Sequence, residues 1–177
     1  MPRMQWSRLK KEVESKFCEA LQKRVQLHTT RFDSKGEYGK FWILLNREEI
    51  FAAYDVTSLV KESQIAKQLQ EINNCSDYRG AQHAAYYETL HMAKTLLHQQ
   101  NVWSRYECER ALKEYLNLSV EDAFTSENYF IKALALFDAR MGKRRLLMLN
   151  DADLQHPLVR QFFNIRCEAE KLELSLS

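Results

Sequence analysis

Four glycines and two prolines in 177 residues leave this chain few places to make a tight turn. Glycine supplies left-handed backbone at turns and proline presets their first corner, so a chain poor in both favours long helices over a many-stranded β fold. The length suits one ordinary domain. Hydrophobic residues at 45% and charged residues at 28% argue against disorder. No apolar run approaches the roughly 20 residues of a membrane span. The opening MPRMQWSRLKKEVESKF carries charges every few residues and lacks the apolar core of a secretion signal. Cys18, Cys75, Cys108 and Cys167 are far apart and form no C-x-x-C, which predicts reduced, buried thiols and a cytoplasmic protein.

Periodicity divides the chain. Trp6, Leu9, Val13, Phe17 and Leu21 predict a helix over 3–21, with Ser7 as its N-cap. Residues 25–32, 40–45 and 50–54 read as strands, with turns at 33–39 and 46–49. Three antiparallel strands with one apolar face need a cover, and the first helix supplies it. From Thr57 the pattern is helical. Residues 58–71 are read as amphipathic through Leu59, Val60, Ile65 and Leu69, and 81–100 as a long helix. Ser104 with Glu107 forms a capping box, Ser119 starts a short helix, 128–141 is a helix stopped by Gly142, and His156-Pro157 opens the last one. The expected fold is therefore α+β: an N-terminal helix with a small three-stranded antiparallel sheet, then a mostly helical C-terminal region. It is read as a single domain over 1–177, because residues 1–56 alone are marginal and must share a core with 57–177.

The densest charge pattern is Asp138 to Leu146. Gly142 is expected to take the left-handed conformation that ends a helix, leaving Lys143, Arg144 and Arg145 to meet its negative dipole end. Such a cluster grips a phosphate or a partner's carboxylates. The candidate binding residues are thus Arg140, Lys143, Arg144, Arg145, Arg160 and Arg166, with Arg31 and Trp42 on the strands. Arg145 has a structural alternative, pairing with Asp138 or Asp122, and one of Arg160 and Arg166 is expected to point inward. The net charge of +2 is uneven, with ten cations against five anions in residues 1–40, too mild an excess to imply nucleic acid.

Catalytic signatures are missing. There is no G-x-S-x-G, no glycine-rich phosphate loop and no cysteine in a glycine-flanked loop. Glu48 and Glu49 beside Arg47 read as a solvated turn. Glu88-x-x-His91 has a di-iron spacing but no second copy, so no metal or cofactor is expected. An enzyme would need Arg31, Trp42, Glu49 or Arg145 to converge in a pocket. Residues 105–124 suggest a helix-turn-helix, but Glu121 and Asp122 are the wrong charges to approach phosphates.

Five segments together resemble one family of small uncharacterised bacterial cytosolic proteins. They are Met4-Gln5-Trp6-Ser7-Arg8-Leu9-Lys10, Leu27 to Phe32, Trp42-Ile43, Gly142 to Leu146, and His156 to Arg160 with Arg166 to Glu170. The resemblance suggests Met4 as the usual start. Phe32, Ala139 and the Asp33–Glu37 hairpin depart from it, which weakens any catalytic site in that hairpin. The resemblance implies no activity. The expected function is a non-enzymatic module that binds another protein, through interface side chains or by strand addition to an open sheet edge, with defence or toxin neutralisation as one form. An anion or nucleic-acid binder using the Arg/Lys block is the alternative, and an enzyme of unassigned class the second.

Overall fold

The computed structural model describes residues 5–32, 38–75 and 78–172. Helix α1 (Trp6–Ser15) precedes strands β1 (Val25–Arg31), β2 (Gly39–Leu45) and β3 (Glu48–Tyr54). Then come α2 (Asp55–Ile72), α3 (His83–Gln99), α4 (Arg105–Leu116), α5 (Val120–Thr125), α6 (Tyr129–Phe137), α7 (Lys143–Leu146) and α8 (Pro157–Ala169). The sheet is antiparallel in the order β1-β2-β3, as the alternating patterns predict. Most of the first hairpin turn, residues 33–37, lies outside the described residues. The second is a two-residue turn: Asn46 (φ 52) and Arg47 (φ 75) are both left-handed, the twist a tight hairpin needs. Among the described residues no helix is long and apolar enough to cross a membrane.

The inner sheet face buries Leu27, Phe41, Ile43, Phe51 and Ala53. Phe130 sits fully buried beneath them, 5.7 Å from Phe41 and 5.2 Å from Phe51 between ring centres, with Trp103 at 6.0 Å. Trp6 of α1 meets Phe41 edge-on. Seven of the nine residues of α6 are buried, so this helix runs through the core rather than along its surface. One hydrophobic cluster joins the sheet, α1, α4 to α6 and α8. Ala66, Cys75, Ala93 and Leu97 are buried but stand outside that cluster, because α2 and α3 pack chiefly on each other.

Several expectations change. Helix α1 ends at Ser15 rather than near residue 21, and its N-cap is Gln5, not Ser7. Leu9, Val13, Phe17 and Leu21 are nonetheless all buried, because the chain turns and keeps them inward. Leu59 and Val60 are not on the buried side of α2. That side is Asp55, Ser58 and Ala66, with Glu62, Ile65 and Leu69 half-buried, and Leu59 and Val60 stand about half exposed. The sheet edges are partly closed. Leu27 N–H donates to Glu14, Val25 N–H to the Leu21 carbonyl, Tyr54 N–H to the Trp103 carbonyl, and Ile50 O accepts from Gln161. These contacts take up part of each edge that a partner's strand would need.

The largest correction concerns Gly142. Helix α6 stops at Phe137, and Asp138 is extended (φ −65, ψ 135). The reason is tertiary pairing: Cys18 N–H donates to Phe137 O and Ala139 N–H to Lys16 O, both at 2.8 Å. Gly142 has φ −67 and ψ 153 and is the N-cap of α7, so Lys143, Arg144 and Arg145 form a helix start instead of following a helix end. Open space surrounds a Cβ placed there. Gly142→Ser should therefore raise stability by a few tenths of a kcal/mol, since serine caps better than glycine. A thermal-unfolding loss of about 1–2 kcal/mol would instead indicate a left-handed residue.

Candidate functional site

The buried charges mark two places in this fold: Asp138 with Arg166 near the C-terminal helices, and Asp55, Arg105 and Glu107 where the sheet meets α2 and α4. The first takes in two of the predicted basic residues, Arg140 and Arg166. Asp138 is fully buried, accepts Tyr115 Oη–H at 2.5 Å, and is gripped by Arg140 through Nε (3.0 Å) and Nη2 (2.7 Å). Burial pushes the Asp138 pKa up, but the hydrogen bonds from Arg140 and Tyr115 outweigh it and hold the carboxyl below its ordinary value. Arg166, 2% exposed, donates to the carbonyls of Leu136, Asp138 and Met141.

The remaining candidates are scattered. Arg145 pairs with Glu121 at 2.6 Å, not with Asp138 or Asp122, and lies over the Phe124 ring. Arg160 is the outward member of its pair, bonded to Asp151 at 2.9 Å. Lys143 is mostly exposed, 3.6 Å from Glu170. Arg144 is exposed with no partner among the described residues. Arg31 pairs in register with Gly39 and Trp42 with His28, which places them on opposite faces of the sheet. Trp42 stacks on His28 at 5.2 Å, with the Lys40 ammonium 5.1 Å over its ring and Glu49 bonded to that ammonium. Arg31, Trp42 and Arg145 therefore do not converge.

The second place was missed by the basic-cluster reading. Asp55, at the start of α2, accepts Arg105 Nε at 2.8 Å and the Tyr106 N–H at 3.2 Å. Arg105 also donates to Glu109 at 2.8 Å, and that carboxylate accepts the Thr29 hydroxyl. Glu107 completes the capping box by accepting Ser104 N–H and Oγ–H on Oε2. Its Oε1 meets Lys94 at 2.9 Å and His98 Nε2 at 3.2 Å. Burial pushes the Glu107 pKa up, yet the bonds from His98, Lys94 and Ser104 prevail and hold it well below the carboxylate range. His98 in turn stacks on buried Trp103 at 4.0 Å.

A cleft of about 210 Å³ opens on this network between the start of β2, the first turns of α2, Lys94 of α3 and the start of α4. Tyr38 and Leu59 line it, and Tyr54, Val56, Val60 and Tyr106 are each next in sequence to a lining residue; all six are 38–61% exposed. Val56, Leu59 and Val60 share one face of α2 by their spacing.

The arrangement is ill suited to acid–base work. Glu107 is too acidic for a base near neutral pH, and the Ser104 hydroxyl faces that carboxylate, not an imidazole. Burial raises the thiol pKa of Cys18, Cys108 and Cys167, which suppresses their nucleophilic form. A larger cleft of about 440 Å³ lies beside His156, but both ring nitrogens are occupied, by His98 O at 2.7 Å and the Leu158 N–H at 3.2 Å. Among the described residues no three His, Cys, Asp or Glu are placed to hold a metal, and Glu88 and His91 are both exposed.

Two changes test the network. Glu107→Gln should cost about 1–3 kcal/mol at neutral pH, the price of leaving buried donors poorly matched. Because the folded pKa is depressed, that contribution is present above the ordinary value of 4.5 and is lost as pH falls below it, so the gap between variant and parent narrows in acid. Urea unfolding at pH 7 and pH 3 reads both. At Gly39 an added Cβ would lie 2.1 Å from the Thr30 carbonyl and 2.8 Å from Arg105, so Gly39→Ala should destabilise by about 1–3 kcal/mol. An unchanged melting curve would show that Arg105 does not rest on this glycine.

No curated protein and no solved structure matches the chain. A family model does, over residues 5–167, and its family is uncharacterised. That match spans the sheet, the charged junction and the described helices up to the last turn of α8, and the chain belongs to the SF0329 protein family.

Proposed function

We propose that this protein is a non-enzymatic interaction module that docks a partner protein on the apolar patch around the start of α2. In keeping with the resemblance, it would do so in a bacterial cytosol, with defence or toxin neutralisation as one form of the role. The observation that carries this reading is the set of six exposed apolar or aromatic side chains that line the cleft or adjoin its lining residues in sequence, three of them tyrosines. Tyrosine is enriched in interfaces because it offers a large rigid face at low entropic cost. The patch stands on a lattice of buried ion pairs and helix caps, which preorganises it and lowers the cost of binding. The anion-binding alternative keeps only Lys143 and Arg144 as lightly engaged cations of the original block.

Capture from host lysate at low and high salt separates the two. A partner protein should be retained at both salts by the parent and by Arg144→Ala. It should be lost with Leu59→Glu plus Tyr106→Ala, while the melting temperature stays within a few degrees. Binding that survives the patch variant but vanishes with salt and with Arg144→Ala would replace this reading with anion recognition.

A further inference from the structure

We propose that the cleft receives a cationic side chain, arginine or lysine, carried on an apolar segment of the partner; this rests on the docking reading above. Three carboxylates, Asp55, Glu62 and Glu107, face the cleft against the single ammonium of Lys94, in a chain whose net charge is +2. The cleft thus has the opposite sign to the chain that carries it. Asp55 is committed to Arg105 and the Tyr106 N–H, and Glu107 to Lys94, His98 and Ser104. Glu62 is half-buried and has no partner among the described residues. A carboxylate that has lost part of its hydration gains most from an incoming cation.

Position and size agree. Glu62 follows Ser58 and Leu59 by one turn of α2, so the carboxylate lies beyond an apolar step on the same wall. An arginine or lysine stem can lie along Leu59 and Tyr38 while its charged head reaches Glu62. At about 210 Å³ the cleft falls below the roughly 300–1,000 Å³ of small-molecule sites and suits one long side chain. Apolar residues flanking that side chain would meet exposed Val56, Val60 and Tyr106, each next in sequence to a residue that lines the cleft.

The test is an amide ¹H–¹⁵N titration of the full chain with three probes: acetyl-Leu-Arg-Leu-amide and its norleucine and glutamate counterparts. The arginine peptide should shift the amides of Tyr38, Ser58, Leu59 and Glu62 and bind best. Glu62→Gln, checked for an unchanged melting temperature, should weaken it roughly three- to tenfold, the scale of one partly desolvated ion pair. Equal binding of the norleucine peptide, indifferent to Glu62→Gln, would overturn the cationic occupant and leave the docking patch standing. Preference for the glutamate peptide, or no shift at those amides with any probe, would also overturn it. The lysate capture, which depends on Leu59 and Tyr106 and not on Glu62, judges the docking reading separately.

Discussion

A buried guanidinium, here 2% exposed, needs partners for its charge and its N–H groups; Arg166 turns both Nη groups to the end of α6 and sets its Nε 3.2 Å from the Glu170 carboxylate. Its Nη1 serves the carbonyls of Leu136 and Asp138, and its Nη2 that of Met141, at 2.8, 2.9 and 3.0 Å. A helix leaves its last carbonyls without partners, and a buried helix cannot hand them to water. Here one side chain of α8 takes over that task. The pairing of Lys16 and Cys18 with Ala139 and Phe137 fixes where α1 leaves the core, and Phe137 stacks on Phe162 at 4.3 Å. With the end of α6 held this way, its other end carries Phe130 beneath the sheet.

Arg105 performs a related task with a different result. It too is buried, at 4%, and it pairs with the carboxylates of Asp55 and Glu109. Carbonyls enclosed by packed helices form a closed end. Carboxylates at a strand-to-helix junction bring charge up to the surface, and here they border an opening. The same economy that joins the sheet to α2 and α4 therefore leaves an acidic cleft between them.

What the sequence made legible is what local chemistry decides. The alternation in 25–32, the apolar strand at 40–45, the serine caps at 104 and 119, and Pro157 at a helix start all hold in the structure. The end of α1 and the conformation of Gly142 were misread because backbone pairing across more than a hundred residues sets them, and no local pattern records it. The six-residue cation count near the C-terminus suggested a patch, yet Arg140, Arg145, Arg160 and Arg166 each have intramolecular partners. The site itself was half visible. The Ser104–Glu107 box was plain as a cap, but Asp55 reaches Arg105 from fifty residues away, so its role in the junction was hidden. The one available signal was the pair of charges, Arg105 and Glu109, one helical turn apart directly after the cap.

The inversion of α2 is the strongest reason to treat this surface as functional. A lone exposed leucine is ordinary, since much of any protein surface is apolar. On α2, however, the fully buried positions are Asp55, Ser58 and Ala66, while Val56, Leu59 and Val60 point outward. Fully burying a valine or leucine is worth about 1.5–3 kcal/mol, and at these three half-exposed positions the free protein forgoes part of that gain. A partner that covers Val56, Leu59 and Val60 would recover part of that stabilisation. It would also close the cleft over Glu62, where removing water strengthens any ion pair the partner can supply.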